Sequence, residues 1–282
     1  MTLTLNEVRE LLEKYDLHPK KSLGQNFVIE PNTIRQIIGF SSIVPGDHVL
    51  EVGPGLGSLT LALLEEQAEV IAVEIDDRLV KVLSEVVKTR AGSNLRIIHG
   101  DIMKLELNKL LEARSDSWKL VANLPYNIST PLICELLEKV PSINEMVVMV
   151  QKEAAERLVA KAGQRAYGIP SIKVDYYAKA RIIASIPASV FLPKPRVESS
   201  LVEIKRKTDF RSKVNPEILF SIIRIAFNQR RKMLRSSLRE LFDEKDFYSV
   251  GIDSSERAEN LDLKDWEVLA KRAETTGGIF KS

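Results

Sequence analysis

The sequence predicts an α/β fold: a mostly parallel sheet covered by helices, with antiparallel strands at one edge, followed by a smaller all-helical domain. Three observations carry this. Between residues 48 and 150, short apolar runs of strand length alternate with amphipathic stretches of helix length. Such alternation requires crossover connections, and crossovers build a parallel sheet with helices on both faces. After Thr208 the strand signal ends and apolar residues recur three and four apart. A chain of 282 residues, 44% hydrophobic, can bury one large core and a smaller appended one.

Taken in order, residues 6–15 have helical spacing, with Val8, Leu11, Leu12 and Tyr15 on one face. A basic connector follows from Lys20 to Phe27, and a second helix starts near Pro31, a residue suited to a first helical turn. Strands are expected at 48–52, 70–74, 95–99, 119–122 and 145–150, with helices near 58–66, 77–88, 103–112 and 130–138 between them. Two β-rich runs, at about 171–183 and 198–206, flank a proline-rich loop and would add antiparallel strands. Helical spacing then returns at Ile218, Ile222, Ile225 and Ala226, and at Leu234, Leu238 and Leu241. The domain boundary falls near 207–212. This gives a first domain of residues 1–208, with an N-terminal arm of 1–30, and a helical domain of residues 209–282.

Composition removes several classes. The single cysteine, Cys134, allows no internal disulfide, suits a reducing compartment, and reads as a buried small hydrophobe. His18, His48 and His99 lie far apart, and no Cys/His spacing resembles a metal site, so no metal is expected. No apolar run reaches the roughly 18 residues a membrane span needs. Glu7, Glu10 and Glu13 argue against a transit peptide, so a cytoplasmic protein is expected. A net charge of +2 is only mildly basic, so any nucleic-acid partner must be inferred from where the charge sits.

Glu51-Val52-Gly53-Pro54-Gly55-Leu56-Gly57-Ser58 follows a strand and opens a helix. Gly53 and Gly55 let the backbone turn tightly and approach a ligand. The spacing is G-x-G-x-G, not the G-x-G-x-x-G of dinucleotide binders. Pro54 also removes a backbone N–H that a pyrophosphate would use. A ligand without phosphates, such as S-adenosylmethionine, fits better than NAD. Glu74 ends the next strand, 21 residues beyond Gly53, where an acid can accept from both ribose hydroxyls. Asp101 ends the third, where a carboxylate can accept from an adenine amino group. Three consecutive strand ends thus supply a glycine loop and two acids.

The fourth strand runs into Asn123-Leu124-Pro125-Tyr126 on the same sheet edge. Adenine N6 is a poor nucleophile because its lone pair is delocalised into the ring. The Asn123 side-chain oxygen and the Leu124 carbonyl can accept its two hydrogens and free that lone pair. Tyr126 offers a stacking face and π-density beside the charge that passes from sulfonium to nitrogen. Pro125 stiffens the turn. A neutral amine attacking a sulfonium methyl needs no strong base, which agrees with the lack of a His or Cys nucleophile. Most of the rate would come from positioning.

With both motifs in hand, nearly the whole chain resembles the ribosomal RNA adenine dimethylase family, and most closely its bacterial small-subunit branch. The motifs are Leu23-Gly24-Gln25-Asn26-Phe27, Glu51 to Gly57, Glu74, Gly100-Asp101 and Asn123 to Tyr126, followed by Phe191 to Ser199, Ala226 to Leu234 and Arg257 to Leu261. The resemblance implies a Rossmann-like class I methyltransferase sheet with S-adenosylmethionine as methyl donor and S-adenosylhomocysteine as product. By the same resemblance, Asn26 and the backbone of Val28 would close over the methionine end of the cofactor. It further implies two methyl groups on each of two adjacent adenosines near the 3′ end of small-subunit (16S) rRNA, with the assembling subunit as partner. No membrane is expected and no obligate protein partner is evident.

Phe191, in the substrate-side loop, is expected to stack on the flipped adenine opposite Tyr126; the alternative is a loop Phe packed into the core beside Pro193. For the RNA grip, residues 224–239 carry Arg224, Arg230, Arg231, Lys232, Arg235 and Arg239 and no acid. Helical spacing would put Arg231, Arg235 and Arg239 on one face, with Lys20 and Lys21 of the arm extending the field. Competing readings are a large-subunit (23S) rRNA adenine methyltransferase of the antibiotic-resistance type, a non-catalytic RNA-binding assembly factor, and an NAD-dependent oxidoreductase. The intact tetrad disfavours the second, and Pro54 with the glycine spacing the third.

Overall fold

The computed structural model describes residues 2–90, 94–112, 117–208 and 214–276. Helix α1 (Leu5–Lys14) starts where the Thr4 side chain caps the Glu7 amide and Glu7 reaches back to the Thr4 backbone. Strand β1 (Phe27–Val28) and α2 (Pro31–Ser41) follow, the helix having proline in its first turn. The alternating region then runs β2 (His48–Val52), α3 (Ser58–Glu65), β3 (Glu69–Glu74), α4 (Asp77–Arg90) and β4 (Leu95–His99). It continues through α5 (Leu107–Glu112), β5 (Trp118–Asn123), α6 (Ser129–Lys139), β6 (Ile143–Gln151) and α7 (Lys152–Val159). After these come α8 (Ile169–Tyr177), β7 (Ala178–Ile186), β8 (Phe191–Leu192) and β9 (Ser199–Arg206). The helices α9 (Pro216–Asn228), α10 (Leu234–Ser237), α11 (Glu244–Ser249) and α12 (Leu263–Thr276) complete the described chain.

Seven strands form one sheet in the order β4-β3-β2-β5-β6-β9-β7. The β2–β3, β3–β4, β2–β5 and β5–β6 pairs are parallel, while β9 runs antiparallel to β6. The fold is therefore the Rossmann-like sheet expected, with the antiparallel partner toward one edge. Val49, Leu50, Val70, Ile71 and Ala72 are all buried, as strands covered on both faces must be. Successive strands run outward from β2 to β4 and then restart on its other side at β5. That reversal opens a crevice beyond the carboxyl ends of β2 and β5, where open α/β sheets bind ligands. A second, two-stranded sheet pairs β1 with β8, setting Phe27 opposite Leu192 and Val28 opposite Phe191.

The chain divides into two compact units. The first comprises residues 1–155 and 179–206 and holds both sheets; the second comprises 156–178 and 207–282. The crossing at 206/207 lies next to the boundary expected near 207–212. Residues 156–178, however, group with the helical unit, which a single cut at 208 does not provide for. In that unit Tyr176 and Tyr177 of α8 pack on Phe220 of α9, with ring centroids 5.3 and 6.2 Å apart.

Three further expectations need correction. Residues 171–177 belong to a helix, not a strand. Pro170 occupies the first turn, the Gly168 amide donates to Ser171 Oγ at 3.1 Å, and packing on α9 overrides the β-branched composition. No continuous helix carries Arg231, Arg235 and Arg239. The Leu234 and Arg235 amides donate to Glu256 and Ser254 carbonyls at 2.8 and 3.0 Å, so the chain departs from helical pairing around the four-residue α10. Cys134 is half-buried on α6, beside the fully buried Ile133 and Leu137.

Candidate active site

A cavity of about 250 Å³ occupies the crevice. Its walls are the arm from Leu23 to Val28, the loop from Glu51 to Leu56, the strand ends at Glu74 and Asp101, and Asn123 and Pro125. The expected cofactor residues Asn26, Val28, Gly53, Gly55, Glu74, Asp101 and Asn123 are thus brought together. Gly53 and Gly55 have φ of +69° and +60°. A Cβ on Gly55 would meet the Phe27 ring at 3.0 Å, and one on Gly53 would meet Pro125 at 3.3 Å. The loop is wedged between arm and tetrad: a side chain at either position would press on Phe27 or Pro125, and both positive φ values favour glycine.

Glu74 is buried, and burial raises its carboxyl above the ordinary range. Its Oε2 accepts from the Gly55 amide at 3.2 Å and its Oε1 from the Asp76 amide at 3.0 Å. These bonds orient the group, and a carboxylate that accepts two of them has further lone pairs with which to accept. Asp101 is half-buried, and its Oδ1 accepts from the Met103 amide at 3.0 Å. Loop, acid and acid offer a nucleoside hydrogen-bond acceptors, and apolar walls such as Ile34, Val52, Leu79 and Ile102 offer it contact. These residues fit S-adenosylmethionine.

Two acids gain weight that sequence reading did not assign. Glu51 is 1% exposed and lines the cavity. Burial pushes its carboxyl up to about 8; the Thr60 hydroxyl, donating to Oε2 at 2.6 Å, opposes this, and the nearby Glu74 adds to it. Asp76 is also buried, and Arg78 beside it holds its carboxyl well below the usual range. The available signal was an acid within or just after a run of buried apolar strand residues, where carboxylates are rare unless partnered.

At the tetrad, the Asn123 Nδ2 donates to the Asn26 carbonyl at 3.0 Å. That bond commits the NH₂ end to the arm and leaves the amide oxygen as the acceptor for another molecule. Leu124 is buried and anchored by its amide to the Met149 carbonyl at 3.0 Å. Tyr126 is half-buried, and its hydroxyl lies 2.7 Å from Ser199 Oγ. Burial raises its phenol, so the ring stays neutral.

Phe191 departs from expectation. It is 2% exposed within the core cluster, fixed by the β1–β8 pairing, and its ring has no open face for a base. Among the expected RNA-binding cations, Arg231, Lys232 and Arg235 are exposed. Arg230 donates to Glu259 at 2.7 Å and to the Arg165 carbonyl at 2.9 Å, so it serves the helical unit's own structure. Lys20 lies 3.3 Å from Asp76. The Lys21 side chain falls outside the described residues.

The family model for ribosomal RNA adenine dimethylase matches residues 17–275. The chain belongs to this family. A Corynebacterium glutamicum (strain R) protein named ribosomal RNA small subunit methyltransferase A is 44% identical to this dimethylase-family chain over 279 residues, covering 94% of it and 92% of the relative. A Thermobifida fusca relative of the same name is 42% identical over 277 residues, covering 95% of each chain. Among solved structures, a dimethyladenosine transferase from Plasmodium falciparum superposes with a TM-score of 0.76 at 27% identity, covering 88% of this chain and 98% of its own. The 23S rRNA methyltransferase ErmE superposes at 0.65 with 21% identity, covering 88% and 99%, a likeness of fold alone. As a member of the dimethylase family, the chain is an S-adenosylmethionine-dependent methyltransferase. Among the described residues no helix is long and apolar enough to cross a membrane, and no group of three His, Cys, Asp or Glu could hold a metal ion.

Proposed function

We propose that this chain methylates N6 of two adjacent adenosines near the 3′ end of small-subunit (16S) rRNA, twice each, during assembly of the subunit in the cytoplasm. The observation that carries the reading is the Asn123 amide in the wall of the cavity, its NH₂ end committed to the Asn26 carbonyl so that its oxygen is left as an acceptor. S-adenosylmethionine, when bound, supplies an electrophilic methyl group on sulfur. Asn123 Oδ1 and the Leu124 carbonyl accept the N6 hydrogens, which turns the nitrogen lone pair toward that methyl. That nitrogen would take the methyl group, the C–S electron pair remaining with sulfur, and would lose its proton to water. The Tyr126 ring stabilises the transient positive charge and stacks on the base. Glu74 would hold the ribose hydroxyls and Asp101 the cofactor's adenine amine.

Relatives named for the small-subunit enzyme, at 42–44% identity over nearly the full chain, support the substrate assignment. Phosphate contacts are assigned to Arg231, Lys232 and Arg235 in the helical unit. The test is mass mapping of labelled methyl groups on ribosomal subunits from a strain lacking this protein, with and without added enzyme. Dimethyladenosine in 16S rRNA is expected; label confined to 23S rRNA would overturn the assignment.

A further inference from the structure

The arm is tied down at both ends. At its far end β1 pairs with β8. At its near end the tie is a buried carboxylate. The Asp76 side chain is 1% exposed, and its Oδ2 accepts from Gln25 Nε2 at 3.1 Å and pairs with Lys20 Nζ at 3.3 Å. Gln25 also accepts from the Lys20 amide at 2.7 Å through its Oε1, and its own amide bonds the Lys20 carbonyl at 3.3 Å. Residues 20–25 are thus a closed loop gripped at one point. Between the two ties, Leu23 to Val28 form one wall of the cofactor cavity. Asn26 reaches Asn123, and Phe27 packs against Gly55.

We propose that Asp76 is a positioning residue whose clasp on Lys20 and Gln25 holds the arm over the cofactor cavity and sets the rate at which S-adenosylhomocysteine leaves. The proposal rests on the cofactor reading given above. It assigns Lys20 to this clasp and not to an RNA phosphate. A dimethylated nitrogen takes two methyl groups, so the spent cofactor must leave before the second transfer, and the clasp opens in between.

Asp76 has a second set of partners that a purely structural role would use. Arg78 donates to it from Nε, Nη2 and its backbone amide at 3.2, 3.0 and 3.2 Å, at the start of α4. The test therefore separates the two sides of the carboxylate. In full-length enzyme, Lys20→Met/Gln25→Met removes the arm partners and leaves Arg78. Loss of charge-assisted bonds should speed S-adenosylhomocysteine release about ten-fold or more. Melting temperature should stay unchanged, and hydrogen exchange should rise at the amides of residues 23–26. Lys20→Arg should restore slow release. Arg78→Met should lower the melting temperature without speeding release. Unaltered release in the double variant, or release from Arg78→Met as fast as from it, would overturn the clasp. Failure of the wild-type protein to bind S-adenosylhomocysteine would overturn the cofactor reading, and the clasp's function with it.

Discussion

Glu51 shows how much a single buried carboxyl decides. Its folded-state pKa of about 8 lies above the ordinary glutamate value near 4.5, so the folded chain holds the proton more firmly than the unfolded one. Stability then falls as pH rises between those values, and the loss is complete above about 8. Glu51→Gln, which cannot ionise, should therefore gain melting temperature relative to wild type on going from about pH 5 to about pH 9. Parallel melting curves across that range would contradict a buried, neutral Glu51. Glu74 makes a second test. Glu74→Gln keeps the shape but replaces one acceptor oxygen with a donor, and should cost about 1–3 kcal/mol of S-adenosylhomocysteine affinity by calorimetry. An unchanged Kd would remove it from the ribose site. Asn123→Ala should slow single-turnover methyl transfer by roughly 10² or more, comparable to deleting one preorganised transition-state contact. It should weaken cofactor binding only slightly through the lost Asn26 bond; chemistry near wild type would sink the acceptor mechanism. That Glu74, Asp101 and Asn123 would meet at one cavity was legible because each ends or closely follows a strand whose order follows from the alternation. Glu51 and Asp76 were not, since their weight comes from burial and from partners as far as 56 residues away in sequence (Lys20 to Asp76).

At the scale of elements, the parallel strands were legible almost to their ends because each is a short apolar run bounded by turn residues. Two places were not. The α8 segment is rich in Ile, Val and Tyr, and its helical state draws on packing against Phe220, a residue more than forty positions away. Around α10 the amides find acceptors at residues 254 and 256, a long-range choice that no local period reveals. The basic cluster survives this correction as exposed charge, Arg231 and Lys232 on a turn and Arg235 on the short α10, rather than as one helix face. Arg231→Glu/Arg235→Glu should still weaken binding to the small subunit and flatten its dependence on salt, because fewer counterions would be released. S-adenosylhomocysteine affinity should not move. A double variant with the wild-type salt slope would locate the RNA grip elsewhere.

For the whole molecule, the chain passes between its two units three times, after residues 155, 178 and 206. Sequence composition shifted visibly only at the last crossing, so the first two could not be read from it. A chain cut at 208 would keep α8 but lose Phe220, the ring on which Tyr176 and Tyr177 pack. It should aggregate or elute as soluble oligomers in size-exclusion chromatography; a monodisperse fragment with full cofactor affinity would show that the helical unit is dispensable to the fold. The place of β9 between β6 and β7 has a separate consequence for a chain made from its N-terminus. Residues 143–151 emerge with Met146 to Val150, all buried in the finished sheet, along an open edge. The strand that closes that edge is not synthesised for almost fifty residues more. While the first of these strands is outside the ribosome and the second is not, the nascent chain presents an unpaired apolar strand, the kind of template that invites intermolecular pairing, and so a client for chaperones instead of a finished sheet.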